Sequence, residues 1–196
     1  MRKIWKRVCT GILALTTILT ALPITSVQAA ETQYWTESAE RVGHVEHLMN
    51  DGTIKSTFNE GHMKVEGETA YCVNINMKFK NGYKTRHDAS ASMSADQIED
   101  VALSIEYMKQ YAGSHSNLSA NQAYLLEQCL VWQRLSEHLG WQCDNVRVVY
   151  SEISQDIQNE VYAGAKSFVK TNKGRYKCGG YIYTGEGQDI GQFWAK

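Results

Sequence analysis

The sequence contains one proline, Pro23, among 196 residues. After Pro23 there is no run rich in Ser, Thr, Gly or Pro, so nothing indicates a linker, a stalk or a repeat array. No stretch after residue 30 reaches the roughly 20 apolar residues that a membrane-spanning helix needs. These absences predict a single globular domain over residues 30–196, with no membrane span in the mature chain and with any anchor outside this sequence.

Positive charge is concentrated at the start of the chain, in Arg2, Lys3, Lys6 and Arg7. An uncharged run from 8 to 30 follows, with an apolar centre over 12–22 and small residues at Val27 and Ala29. This pattern is typical of a secretory signal peptide over residues 1–29. Without those four charges, 16 basic side chains remain beside 21 acidic ones, which argues against a nucleic-acid partner.

Strand patterns occupy residues 41–79, and the clearest runs from Thr69 to Phe79, where apolar and polar residues alternate. Asn50-Asp51-Gly52 is a turn signal before this region, and Asn81-Gly82 predicts a hairpin after it. Three helical patterns follow. They begin near Ser94, Ser119 and Ile153, and the first two carry capping boxes completed by Gln97 and Gln122.

From Tyr176 onward the sequence returns to short strands, including 181–183 and 190–194. The order of strands, helices and strands predicts an α+β fold. We expect mainly antiparallel sheet portions at both ends of the chain, with a three-helix cluster inserted between them.

Four cysteines follow the predicted leader: Cys72, Cys129, Cys143 and Cys178. In a secreted chain an even number suggests two disulfides, for which three pairings are possible. Their spacing contains no C-x-x-C, and the nearest histidine, His138, lies five residues before Cys143. We therefore expect no metal site and no cofactor.

Gln128 lies in the middle of the apolar arc of the second helix. Its neighbours three and four positions away are large and apolar, and they are Tyr124, Leu125, Val131 and Trp132. Leaving a primary amide unpaired there would cost about 1–3 kcal/mol, so Gln128 needs a partner. That partner is either the backbone or a reactive side chain. The polar arc of the helix, with Glu127, Arg134 and His138, is expected to face solvent.

A reactive partner for Gln128 is available in Cys72, which is 56 residues earlier on a predicted strand. A cysteine thiolate held against a glutamine amide, away from water, can attack the amide carbon and expel ammonia. The product is an internal thioester. Tyr71 and Trp132, which flank the pair, would exclude the water that hydrolyses such a bond.

Two segments carry a family resemblance. Tyr71-Cys72-Val73-Asn74 resembles the strand motif, and Gln128-Cys129-Leu130-Val131-Trp132 the T-Q-x-A helix motif, of the thioester domains of Gram-positive bacterial surface adhesins. The resemblance covers about residues 35–196. This sequence departs from the helix motif twice, with Glu127 in place of threonine and Leu130 in place of alanine.

The resemblance implies a covalent capture domain at the bacterial surface and not a turnover enzyme. Cys72 would supply the thioester sulfur and Gln128 the acyl group, and the target would be an amine such as a lysine of a host surface or matrix protein. With Cys72 so used, the implied disulfide joins Cys143 and Cys178, and Cys129 is a small apolar residue. A disulfide of Cys129 with either of them stays open.

Two other functions compete with this one. The first is a disulfide-bonded extracellular binding module that acts noncovalently. The second is a Cys-His hydrolase, which would need an imidazole at Cys72. Its candidates are His44, His47, His62, His87, His115 and His138, and the sequence places none of them there.

Overall fold

The structure is a computed structural model that describes residues 32–75, 77–115, 117–139 and 145–196, without the side chains of residues 39 and 136–139. The predicted signal peptide and Cys143 lie outside the described residues. Seven strands are described: β1 (Gln33–Leu48), β2 (Ile54–Val65), β3 (Glu68–Cys72), β4 (Gly82–Asp88), β5 (Val146–Val148), β6 (Cys178–Thr184) and β7 (Ile190–Ala195). The helices are α1 (Ala95–Ser114), α2 (Ala120–Leu139), α3 (Gln155–Asn172) and a short 3-10 helix, Ala89–Ala91.

The strands form one antiparallel sheet in the order β2-β3-β7-β6-β4-β1-β5. Because β1 also pairs with β2, the first six of these strands close into a barrel-like ring. The long strand β1 lies beside β2 along one edge, and along the other it meets β4 at its start and β5 at its end. This arrangement confirms the predicted α+β class, with three helices between two sets of strands.

Local sequence signals position the helix starts and the first turn. Ser94 and Gln97 form the predicted capping box of α1, and Ser119 and Gln122 bond reciprocally at the start of α2. The turn between β1 and β2 contains Gly52 at a φ of 83°, a conformation that favours glycine. These are short-range effects, which is why the sequence predicts them.

The strand predicted over 69–79 is shorter than expected, since β3 ends at Cys72. The next segment is bonded by the β6–β7 connection, where Gln188 donates its side-chain amide to the Asn74 carbonyl and its backbone N–H to the Lys78 carbonyl. The hairpin predicted at 81–82 is wrong, because β4 pairs with β1 and β6 and not with β3. Alternation of residue types persists after the ladder has ended, so it does not mark the end of the strand.

Two strand segments were not predicted: the first part of β1 and all of β5. Residues 33–40 are mostly polar and lack an apolar alternation. Residues 33–36 are held by pairing with β4, and residues 36–38 by pairing with β2. Strand β5 has three residues, too few for a periodic pattern, and is defined by its pairing with β1. Among the described residues, no helix is long and apolar enough to cross a membrane.

Helix α2 lies between two hydrophobic cores. Leu125, Cys129 and Trp132 pack in a core with the β1–β2–β3 side of the sheet and α3. Tyr124 and Val131 pack in a second core with α1 and with residues of β3, β6 and β7. A helix with apolar contacts on both sides is buried around most of its circumference.

One carboxyl group is buried beside α2 without a full set of hydrogen bonds. Glu60 on β2 is 5% exposed, and its Oε1 has no hydrogen-bond partner among the described residues. Burial raises the pKa of this carboxyl from its ordinary 4.5 to about 8. Glu60 is therefore protonated in the folded protein at neutral pH and ionised in the unfolded chain.

This difference predicts how stability depends on pH. The folded state holds a proton that the unfolded chain releases, so the free energy of unfolding falls as pH rises from about 4.5 to 8, by a few kcal/mol in order of magnitude. Glu60→Gln removes this contribution and flattens that part of the profile, measured by urea unfolding at several pH values. The exposed change Glu40→Gln is the control. Equal profiles for Glu60→Gln and the unchanged protein would contradict the assignment.

Candidate functional site

The site begins at the end of the β2–β3 ladder. There, side chains of α2 bond to backbone groups of the two strands. Met63 is the β2 partner of Ala70, yet the Met63 N–H donates to the Tyr124 hydroxyl at 3.1 Å. That hydroxyl in turn donates to the Ala70 carbonyl at 3.2 Å. One side chain of α2 therefore bridges the two strands at the last pair of their ladder.

Gln128 lies one helical turn after Tyr124. It pairs with Cys72, which lies two residues after Ala70 on β3. The Cys72 N–H donates to Gln128 Oε1 at 2.8 Å, and Gln128 Nε2 donates to the Cys72 carbonyl at 3.0 Å. Both residues are fully buried. The sequence left open whether Gln128 bonds to backbone or faces Cys72, and the structure shows it bonded to the backbone of Cys72 itself.

This pairing has a chemical consequence. The amide of Gln128 is held at both ends by the residue whose side chain carries the thiol. The backbone N–H of Cys72 points at the amide oxygen, where negative charge would develop if a nucleophile attacked the amide carbon. The arrangement combines a thiol, an acyl group bonded at both ends and a hydrogen-bond donor, and both residues are fully buried.

A second buried glutamine shows what the same pairing does without a thiol. Gln158 on α3 accepts from the Val148 N–H at 3.0 Å and donates to the Val148 carbonyl at 2.8 Å. It also donates to the Ile153 carbonyl at 2.7 Å. At Val148 the pairing satisfies the backbone of strand β5, so a doubly bonded glutamine is by itself a structural device. Gln128 differs because it holds a cysteine.

The neighbours of the pair form a second contact between β3 and α2. Tyr71 donates its hydroxyl to Glu127 Oε2 at 2.8 Å. Burial raises the pKa of Glu127 from 4.5 to about 7, although the bond from Tyr71 and the charge of Lys109 act to lower it. The expectation that Glu127 faces solvent is therefore wrong, because it is half-buried against Tyr71.

The expectation for Arg134 is wrong for the same reason. Arg134 is 7% exposed, and its Nε donates to Ser104 Oγ on α1 at 3.2 Å. The polar arc of α2 packs against another helix, which a projection of α2 alone does not reveal. The side chain of His138 lies outside the described residues.

The two residues predicted to shield the pair are both buried. Trp132 is 1% exposed, shares the core of Cys72, and meets Phe58 edge to face at 5.7 Å. Tyr71 is 4% exposed and stacks on Tyr124 with a centroid distance of 5.8 Å. Their positions are compatible with exclusion of water, and that role stays a prediction.

The other two described cysteines, Cys129 and Cys178, are free thiols. Cys129 is fully buried, and burial raises the pKa of its thiol to about 12. Cys178 is half-buried, and the structure contains no bond between it and Cys129. Since Cys143 lies outside the described residues, its disulfide with Cys178 stays a prediction.

Four histidine side chains have hydrogen-bond partners other than Cys72. They are His44 with Glu152, His62 with Thr69, His87 with Thr184, and His115 with the Tyr111 carbonyl. Within the described part of the chain, no group of three or more His, Cys, Asp or Glu side chains is arranged to hold a metal. These four histidine side chains are therefore engaged by groups other than Cys72.

The comparisons agree with this fold. No protein-family model matches the sequence, and no curated protein matches it. Among solved structures, the chain is similar to the thioester domain of the Staphylococcus aureus TIE protein, with a TM-score of 0.50 and 10% identity. The match covers 82% of this chain and 92% of that one. At this identity the similarity shows the fold, and the predicted resemblance is confirmed at that level.

The bridge made by Tyr124 yields a stability prediction. Tyr124→Phe leaves the buried Met63 N–H and Ala70 carbonyl without their shared partner, which is expected to lower the free energy of unfolding by about 1–3 kcal/mol. Tyr83→Phe is the control, because Tyr83 is 65% exposed. Both are measured by urea unfolding. A loss no larger than that of Tyr83→Phe would show that the bridge is dispensable.

Proposed function

We propose that this chain is a secreted bacterial surface domain that captures an amine covalently through an internal thioester between Cys72 and Gln128. The carrying observation is the pairing of the Gln128 amide with both backbone groups of Cys72, fully buried, in a fold shared with a thioester domain. Residues 1–29 would act as the export signal.

Formation of the bond is an exchange of sulfur for nitrogen. The Cys72 sulfur attacks the side-chain carbonyl carbon of Gln128, and the new oxyanion is stabilised by the Cys72 N–H at 2.8 Å. The C–N bond then breaks. The thiol proton passes to the nitrogen, which leaves as ammonia, and the products balance as one thioester and one ammonia.

In the capture step the Cys72 sulfur is the leaving group, whereas in formation of the thioester it is the nucleophile. A primary amine attacks the same carbon, the C–S bond breaks, and the sulfur takes up a proton to become a thiol again. The amine ends in an amide bond with the former Gln128 side chain. No ammonia returns, so each molecule reacts once, and we propose a lysine of a host surface or matrix protein as the target.

Burial accounts for the lifetime of such a bond. A thioester exposed to water would be lost by hydrolysis, whereas Cys72 and Gln128 are both 0% exposed. Tyr71 and Trp132, which pack in different cores, would shield the bond from water. An amine must therefore reach the carbon by a defined route, which allows the surface around the site to select its target.

Intact mass spectrometry tests the bond directly. We expect the folded protein, prepared without amine nucleophiles, to be one ammonia lighter than its sequence predicts after allowing for disulfides. Cys72→Ala and Gln128→Glu should both restore the full mass. Methylamine added to the unchanged protein should produce an adduct at Gln128 and a new thiol at Cys72.

Two matched variants separate the chemistry from the folding. Gln158→Glu disturbs the equivalent pairing with Val148, and Cys178→Ala removes a cysteine from another part of the fold. Both should keep the mass deficit. If the unchanged protein has the mass calculated from its sequence, with no loss of ammonia, and forms no methylamine adduct, Gln128 is structural like Gln158. The domain would then act as the disulfide-bonded noncovalent binding module.

A further inference from the structure

The reacting pair has two distinct sides. Consecutive residues of a strand point to opposite faces of the sheet. Accordingly, Cys72 packs in the core that contains Cys129 and Trp132, whereas Tyr71 packs in the other core. The amide of Gln128 pairs with the edge of β3 between them, as a neighbouring strand would. The thiol therefore lies on one side of the acyl group and Tyr71 on the other.

The Tyr71 side opens into a cleft, and the thiol side does not border it. This cleft has a volume of about 700 Å³, and the residues that line it include Tyr71, Glu127, Lys109, Tyr181, Trp194 and Lys196. Tyr71 and Glu127 are the chain neighbours of Cys72 and Gln128, they are hydrogen-bonded to each other, and both line the cleft. Aromatic side chains on its wall suit an aliphatic chain that ends in an ammonium group.

Glu127 has the surroundings that a proton acceptor needs. The groups that face it are the Tyr71 hydroxyl from β3, Lys109 from α1 and Tyr124 from its own helix. Farther along the cleft are Glu68, Tyr181 and Lys196. Burial outweighs the other effects and raises the pKa of Glu127 to about 7. A group titrating near neutral pH can accept a proton there and still be ionised in a large fraction of molecules.

We infer that the amine reaches the thioester from this cleft, and that Glu127 accepts the proton that the incoming ammonium group must lose. The inference rests on the proposed thioester. The ammonium gives one proton to a Glu127 oxygen, and its nitrogen lone pair then attacks the Gln128 carbonyl carbon. As the C–S bond breaks, the second proton lost by the nitrogen passes to the Cys72 sulfur. The products are an amide, a thiol and a protonated Glu127, with charge and atoms conserved.

This role predicts a particular pH profile for capture. The reactive state pairs ionised Glu127 with a protonated amine, so the rate rises up to about pH 7 and is then level until the amine itself titrates near about 10.4. Without the carboxylate, only the neutral amine reacts, and the rate climbs about tenfold per pH unit over the same interval. A purely structural Glu127 would not change the shape of the profile.

The experiment compares Glu127→Gln with the unchanged full chain. The probe is Nα-acetyl-lysine amide, and the rate of adduct formation is followed by intact mass from about pH 5.5 to 9. Glutamine still accepts the Tyr71 hydrogen bond, so the ammonia deficit should persist and report correct folding. We expect capture to be slower by on the order of 100-fold near pH 7.5, with the level region replaced by a steady rise.

Controls make each outcome decisive. Glu106→Gln on α1, whose carboxylate bonds Gln110, should behave like the unchanged protein. Glu127→Asp keeps a carboxylate and should restore part of the level region. An ammonia deficit in Glu127→Gln with an unaltered rate and profile would overturn the role of Glu127 alone. Absence of the deficit in the unchanged protein would overturn the proposed function and this inference with it.

Discussion

The site depends on one backbone requirement. At Cys72 the strand β3 extends beyond its ladder with β2, and a buried N–H and C=O must still find partners. Gln128 on α2 supplies both partners. One turn earlier, the Tyr124 hydroxyl bonds the Met63 N–H and the Ala70 carbonyl, which would otherwise bond to each other. The need to pair the backbone of Cys72 therefore accounts both for the position of α2 and for the placement of the Gln128 amide against a cysteine.

Two consecutive residues on a strand meet two consecutive residues on a helix, and this gives the site its two sides. Cys72 with Gln128 forms the buried contact, while Tyr71 with Glu127 forms the contact next to the cleft. Because α2 separates two cores, neither contact can shift without disturbing packing on both sides of the helix. Proton transfer and acyl transfer can thus occupy adjacent positions without sharing a side chain.

The sequence predicts the parts of this structure that depend on neighbouring residues. The starts of α1 and α2 follow from their capping residues, and Gln128 stands out as an amide in an apolar arc. Contacts between segments distant in sequence are not predicted by these local patterns. Glu127 and Arg134 were assigned to solvent because the projection of one helix does not include β3 or α1. Strand β5 and the end of β3 are set by pairing partners, which no local pattern contains.

The proposed reaction removes part of what positions the site. When the Gln128 nitrogen leaves, the Cys72 carbonyl loses the donor that Nε2 provided at 3.0 Å. The thioester state therefore has one buried hydrogen bond fewer than the glutamine state, a loss of about 0.5–1.5 kcal/mol. The bonds of Tyr124 to Met63 and Ala70 do not take part in the reaction. They can hold α2 against β3 in both states, so the fold survives the step that makes the domain reactive.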